Sequence, residues 1–229
     1  EFTTMESYWA YADYTDIMEL TEEIFREACI AVHGTEQFVY QGKEFDLSQK
    51  WERLPMKKAI KKYGDVNVDD LTDQQMLDII AKKGKKMENP KLRGLIINEL
   101  FEAVAEEHLI QPTHLMDHPY ETVPLCKEHR VEKGLIERFE SFINGWEMCN
   151  AYSELNDAQK QRELLEKQAK EGRAKGEEMP VDEDFIRAME YGMPPTGGLG
   201  IGMDRMCMLL LDQPTIRDVL LFPQMRNLK

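Results

Sequence analysis

Paired cysteines are the first thing this 229-residue chain lacks: Cys29, Cys126, Cys149 and Cys207 form no C-x-x-C motif. In a chain of this size they read as reduced core residues of a cytosolic protein rather than a disulfide framework. The nearest approach to metal-ligand spacing is His114 with His118, and Cys126 with His129. Structural zinc takes four well-spaced ligands, and Pro119 and Pro124 interrupt this segment, so no zinc is expected and these residues read as polar loop positions. Long apolar runs are also missing. The longest, MCMLLL at 206–211, is far too short to cross a bilayer, and no secretory pattern opens the chain, so a cytoplasmic location is expected with no membrane partner. Excess positive charge is lacking too. With 29 Lys and Arg against 43 Asp and Glu, the net charge of −14 argues against non-specific coating of nucleic acid. A local basic patch could still meet a phosphate backbone. The chain opens on Glu1 rather than Met, as a piece of a longer protein would.

What is present is a mixture of strand and helix signals without regular β-α-β alternation. Residues 3–12 alternate polar and large side chains, favouring a strand. Asp13 or Thr15 can cap a helix carrying Ile17, Leu20, Ile24, Phe25 and Ala28 on one face, closed by Gly34. A small hairpin is expected around Gln41-Gly42, and helices over 56–63, 73–82 and 91–107. Residues 109–114 read as a short buried strand. Residues 136–143, Asn144-Gly145 and Trp146 onward read as a hairpin. Asn156 or Asp157 can cap a charged helix to about residue 175, part of a helical excursion near 156–180 whose 171–178 end is expected to be a surface element. Further helices are expected over 181–191 and 203–211. This pattern gives an α+β fold, an antiparallel sheet with helices on it.

The hairpin is unusually acidic for a sheet. Asn-Gly supplies the positive φ angles of a type I′ turn. That turn would pair Ile143 with Trp146, Phe142 with Glu147 and Glu140 with Cys149. Glu140 and Glu147 then share a face as diagonal neighbours. Two carboxylates at that range repel, and a divalent cation relieves them. Magnesium held by one or two carboxylates plus substrate phosphates is the usual arrangement. The alternative is an edge hairpin with both glutamates in water. Asn150, Tyr152 and Glu154 have the opposite parity to Glu147, so a shared cavity requires a bulge near 148–150.

The glycine-rich stretch GGLGIGMDR at 197–205 lacks both G-x-G-x-x-G spacing and the Lys-Ser/Thr of a P-loop. It reads as a loop whose backbone a ligand can approach closely, followed by a helix start bearing Arg205. Arg205 can bridge phosphate oxygens with its planar fork or serve a surface ion pair.

These residues resemble a known family. GGLGIGMDR followed by 206–211 is similar to motif 3 of the class II aminoacyl-tRNA synthetases, and DVLLFP at 218–223 is similar to the close of the catalytic domain in the lysyl, aspartyl and asparaginyl branch. EFTTMESYWAYADYTD at 1–16, LIQPTHLMDHPYETVPL at 109–125 and NAYSELND at 150–157 look like the lysyl enzymes. The resemblance implies an antiparallel sheet of six or seven strands flanked by helices, binding ATP with Mg2+. It implies activation of L-lysine to lysyl-adenylate and transfer to tRNA(Lys), in a homodimeric parent protein. Carried over by position, Glu140 and Glu147 would hold magnesium and the nucleotide phosphates. Gly200 and Gly202 would face ATP, and Arg205 would contact the γ-phosphate as the catalytic residue. Glu6 would take the lysine α-amino group, Tyr8 and Glu154 the ε-ammonium, and Asn150 and Tyr152 the same wall. Tyr152 stands where phenylalanine is common, and Ala151 where glycine is common.

The family's motifs 1 and 2 and its anticodon-binding domain are expected upstream of residue 1. Residues 1–229 would then form the C-terminal portion of a catalytic domain with little activity alone. Rival readings are a paralogue that lysylates a protein, a non-catalytic module derived from a synthetase, and an aspartyl or asparaginyl enzyme. In the last, Glu154 would repel the acidic substrate.

Overall fold

The structure, a computed structural model, describes residues 2–87, 92–123, 126–174 and 180–224, with backbone alone for 171–174. In chain order the elements are β1 (Thr4–Ala10), α1 (Tyr14–His33), β2 (Gln37–Tyr40), β3 (Lys43–Asp46) and β4 (Glu52–Pro55). Then come α2 (Met56–Gly64), α3 (Asp73–Lys82), α4 (Arg93–Val104), β5 (Thr113–Met116), β6 (Arg138–Ile143) and β7 (Trp146–Ser153). The chain continues through α5 (Ala158–Ala174), α6 (Glu183–Glu190), β8 (Thr196–Gly202) and α7 (Met203–Leu210).

Six strands make one sheet in the order β1-β8-β7-β6-β5-β4, and β2 and β3 form a separate hairpin. Every neighbour in the large sheet is antiparallel except β4 beside β5. The fold is therefore α+β, as the sequence pattern implied.

The two faces of the sheet have different covers, because side chains alternate along each strand. Phe139, Ile143, Cys149, Ala151, Leu199 and Ile201 point to one face, where α1 and the β2–β3 hairpin pack on them. Helix α1 starts at a capping box: the Asp13 carboxylate accepts from the Thr15 amide, and the Asp13 amide donates to Asp16. It ends at Gly34 with φ 72°, a conformation that glycine adopts without strain. Its buried face carries Ile17, Met18, Phe25 and Cys29. On the opposite face, Leu115 and Phe142 are covered by α2, α3 and α4 through Ile60, Met76, Ile80, Leu100 and Phe101. These helices sit at the β4–β6 end and leave the β7-β8-β1 end of that face open.

Four sequence expectations need correction. The strand expected over 109–114 lies instead at Thr113–Met116. Residues 109 and 110 dock on the β6–β7 turn, with the Leu109 and Ile110 carbonyls accepting from the Gly145 and Asn144 amides at 2.9 and 2.7 Å. The glycine-rich stretch is not a loop. It is β8, whose ladders on both sides satisfy its backbone. His114 and His118 are buried rather than on a polar loop. His114 Nδ1 lies 2.8 Å from Ser141 Oγ and its Nε2 3.3 Å from Glu22 Oε1. Finally, Glu140 pairs with Asn150 rather than Cys149, for the reason given below.

The N-cap of α5 is Asp157, whose Oδ1 accepts from the amides of Gln159 and Lys160. The side chains of the expected 171–178 surface element all lie outside the described residues. All four cysteines are free, and burial pushes the Cys126 and Cys149 thiols up to about 12. Among the described residues no helix is long and apolar enough to cross a membrane.

Candidate active site

The β6–β7 hairpin sets the geometry. Asn144 and Gly145 have φ 57° and 74°, as a type I′ turn demands. Ile143 pairs with Trp146 and Phe142 with Glu147, but the next pair is Ser141 with Cys149. Met148 is the extra residue, so the expected bulge is present, and its side chain joins the core on the α1 side. The extra residue reverses the parity of β7. Glu147 before it, and Asn150 and Tyr152 after it, all share the face of Glu140.

Across the sheet this face reads as two rows. One runs Leu115, Glu140, Asn150, Gly200, Glu6. The next runs Arg138, Tyr152, Gly198, Tyr8. Glycine in the middle of each row leaves a trough between the polar walls of β7 and β1. The trough has two compartments beside each other. A cavity of about 200 Å³ is lined by Glu6, Tyr8, Asn150, Tyr152 and Glu154 above Gly198 and Gly200. A larger one of about 450 Å³ is lined by Glu6, Glu147, Asn150, Gly200, Gly202 and Arg205.

The small compartment is acidic, with Glu154 partly buried at one end and Glu6 and Tyr8 exposed at the other. Burial pushes the Glu154 carboxyl up to about 7, with the nearby Glu6 charge adding to it. Burial also raises the Tyr8 hydroxyl, as do the charge of Glu6 and a 3.2 Å hydrogen bond donated to Glu6 Oε2. Tyr152 is raised by burial first and by Glu154 second. Among the described residues no Lys or Arg lines this compartment. Two carboxylates facing one open-sided cavity without a cation suit a ligand carrying two ammonium groups.

The larger compartment is fixed by the start of α7. The Met203 amide donates to the Thr3 carbonyl at 3.0 Å, and the Asp204 carboxylate accepts from the Thr3 amide at 2.6 Å. This ties the helix start to the start of β1. Arg205, half exposed, donates from Nη1 to the Glu147 backbone carbonyl and lies 3.9 Å from its carboxylate.

Glu140 does not line the compartment of Arg205. It faces a neighbouring cavity of about 440 Å³ with Glu102, Glu106 and Arg138, and Glu147 borders both spaces. Burial drives the Glu140 carboxyl up to about 7; Arg138 pulls it down, while Glu147, Glu102 and Glu106 push it up. Glu106 is itself raised, by burial and then Glu102. Among the described residues no three carboxylates converge into a ready-made metal site. Glu140 and Glu147 could each offer an oxygen to magnesium, whose coordination phosphate oxygens and water would have to complete.

Sequence reasoning missed Arg138, His118, Glu102 and Glu106. Arg138 is buried and donates to Glu140 Oε1 at 2.5 Å, Asn150 Oδ1 at 3.1 Å and His118 Nδ1 at 3.3 Å. Its signal was available: it stands two residues before Glu140 on the same strand and so shares its face.

Residues 1–226 match the sequence model of the tRNA synthetases class II (D, K and N). The chain belongs to that family. Its relatives include the "Lysine--tRNA ligase" of Clostridium perfringens (strain SM101 / Type A), 46% identical over 235 residues, covering 100% of this chain and 47% of that protein. The "Lysine--tRNA ligase" of Thermosynechococcus vestitus is 47% identical over 230 residues, covering 99% and 45%. That of Moorella thermoacetica is 48% identical over 228 residues, covering 99% and 47%. The chain spans about half the length of the curated relatives it matches.

Proposed function

We propose that this chain supplies the C-terminal portion of the catalytic domain of a cytoplasmic, homodimeric lysine–tRNA ligase. The observation that carries the reading is the acidic compartment of Glu6 and Glu154 beside the larger one bearing Glu147 and Arg205. Lysine is the amino acid with an ammonium group at each end of its chain. Glu6 takes the α-ammonium and Glu154, at the sheltered end, takes the ε-ammonium with Tyr8 beside it. Asn150 and Tyr152 form the wall between them. A neutral or acidic side chain would leave the partly buried Glu154 carboxylate unpaired, a penalty below the about 3–5 kcal/mol of a broken, fully buried pair.

ATP lies in the larger compartment. Gly200 and Gly202 let its phosphates approach the backbone, and Arg205 neutralises the γ-phosphate. Glu147, which borders both cavities, and Glu140 in the neighbouring one would hold magnesium between them, and the ion would supply charge neutralisation on the phosphates. A lysine carboxylate oxygen forms a bond to the α-phosphorus as the α–β phosphoanhydride bond breaks, giving lysyl-adenylate and pyrophosphate. A terminal hydroxyl of tRNA(Lys) then attacks the lysyl carbonyl carbon, and AMP leaves. The reacting carboxylate is already ionised, so positioning and charge stabilisation suffice without a protein nucleophile.

The test is lysine-dependent exchange of pyrophosphate into ATP by the full-length protein, followed by charging of tRNA. Lysine should support exchange while aspartate and asparagine do not. Exchange driven by aspartate would overturn the reading, as would charging of a protein acceptor instead of tRNA. The 229 residues assayed alone should form little adenylate, because the family's α-phosphate clamp is expected in motif 2. Exchange near the full-length rate would refute that.

A further inference from the structure

The proposed function uses Glu140 at the nucleotide end and Asn150 at the amino-acid end, and assigns nothing to the buried cation between them. Arg138 is 7% exposed and spends its guanidinium on three partners from three places in the chain. Nη2 donates to Glu140 Oε1 at 2.5 Å, Nε to Asn150 Oδ1 at 3.1 Å, and Nη1 to His118 Nδ1 at 3.3 Å. His118 is fully buried, and its Nε2 lies 3.2 Å from the Leu115 carbonyl oxygen. The carbonyl can only accept, so Nε2 carries the proton and Nδ1 is free to accept from Arg138. The imidazole therefore sets the plane of the guanidinium from behind.

The consequence in front is specific. An asparagine amide has an acceptor end and a donor end of nearly the same shape. With Oδ1 taken by Arg138 Nε, the Asn150 NH2 is turned toward the trough, where Asn150 borders both compartments. The same arginine fixes one oxygen of Glu140 and leaves the other for the cavity it shares with Glu147. We propose that Arg138, set in place by His118, is a positioning residue for both half-sites: it orients Glu140 for the nucleotide and turns the Asn150 amide donor toward the amino acid.

This rests on the lysine-ligase reading, and its test separates the two. In the full-length protein, Arg138→Met removes both hydrogen bonds, and the KM values for ATP and for lysine should each rise by about 10–100-fold, the usual size for loss of a group that orients ligand-binding residues. Arg138→Lys keeps a positive charge beside Glu140 but lacks the fork that reaches Asn150. It should bring the ATP KM back to within a few-fold of wild type and leave the lysine KM raised. Arg138→Lys carries the test by itself if Arg138→Met does not fold. A merely structural arginine would lower thermal stability in both variants and leave both KM values unchanged per folded molecule, and that result would overturn the inference. So would equal recovery of both KM values in Arg138→Lys. If wild-type protein shows no lysine-dependent exchange at all, the functional reading fails instead. The inference is then read from ATP-magnesium binding by calorimetry, where Arg138→Met must still weaken binding and Arg138→Lys must restore it.

Discussion

Strand β8 carries alternate glycines that serve opposite faces of the same sheet, and the contrast between them separates folding from binding in this protein. A Cβ on Gly197 would meet Ile17 Cγ1 at 2.4 Å, in the layer where α1 closes on the sheet. A Cβ on Gly198, one residue on, would meet Glu154 Oε1 at 1.9 Å, in the small acidic compartment. Gly200 meets nothing closer than 3.7 Å on that open face. On one face glycine lets a helix approach, and on the other it makes room for the Glu154 carboxylate and leaves an open floor. The charges divide the same way. The α1 face is apolar around Phe139, Ala151 and Leu199, whereas the open face gathers Glu6, Glu140, Glu147 and Glu154.

The sharpest attempt to break this division is at the open face. Glu154→Gln removes the carboxylate proposed to take the lysine ε-ammonium, so kcat/KM for lysine in the full-length protein should fall about 100-fold or more, near 3 kcal/mol. The denaturation midpoint should stay level or rise, because a carboxyl whose pKa burial has raised costs stability whenever it is ionised. A parallel loss of stability and activity would show that the residue belongs to the fold.

The glycine pair tests the same division from both sides. Gly197→Ala should cost about 1–3 kcal/mol in urea unfolding, as over-packing against Ile17 does, with the lysine KM unchanged per folded molecule. Gly198→Ala should give the reverse, raising the lysine KM by displacing Glu154 while the unfolding midpoint barely moves. Reversal of the two phenotypes would erase the distinction between the two faces.

The smallest effect expected is in pH. Burial pushes the Glu154 carboxyl up to about 7, and in the proposed role it would pair with an ammonium only when ionised. Below that pH lysine must displace a proton, so affinity should fall by up to tenfold per unit, about 1.4 kcal/mol, and should level off above it. Calorimetric titration of lysine between pH 5 and 8 reads this directly. A flat profile with wild type would remove Glu154 from the ammonium site, and Glu154→Gln should flatten it.

Much of the hairpin was legible in the sequence, because its cause is local. Asn144-Gly145 dictates a type I′ turn, and the turn fixes the register of the residues beside it. The parity conflict between Glu147 and Asn150 then demanded a bulge, found at Met148. The pairing of Glu140 with Cys149 was one residue out, because a regular ladder cannot be extended through the bulge. The α1 cap at Asp13 and the Gly34 stop were equally local. By contrast, residues 109–114 have a strand's composition, but Leu109 and Ile110 bond to a turn that lies 34 or more positions along the chain. The glycine run read as a loop because its strand identity depends on two partners, β1 and β7, that composition does not name.

The sequence by itself determined the main helices, the β6–β7 hairpin, the family and which of the hairpin's acidic residues share a wall, since parity and turn chemistry act over a few residues. Only the tertiary structure decided what those residues face. It brought β1 beside β8 across nearly 200 positions and put Glu6 opposite Glu154 over a floor of glycine. It left half of one face open where α2, α3 and α4 stop, and buried Arg138 among His118, Glu140 and Asn150. Burial depth, and with it the rise of two carboxyls to about 7, is a property of the assembled layers that no local pattern encodes.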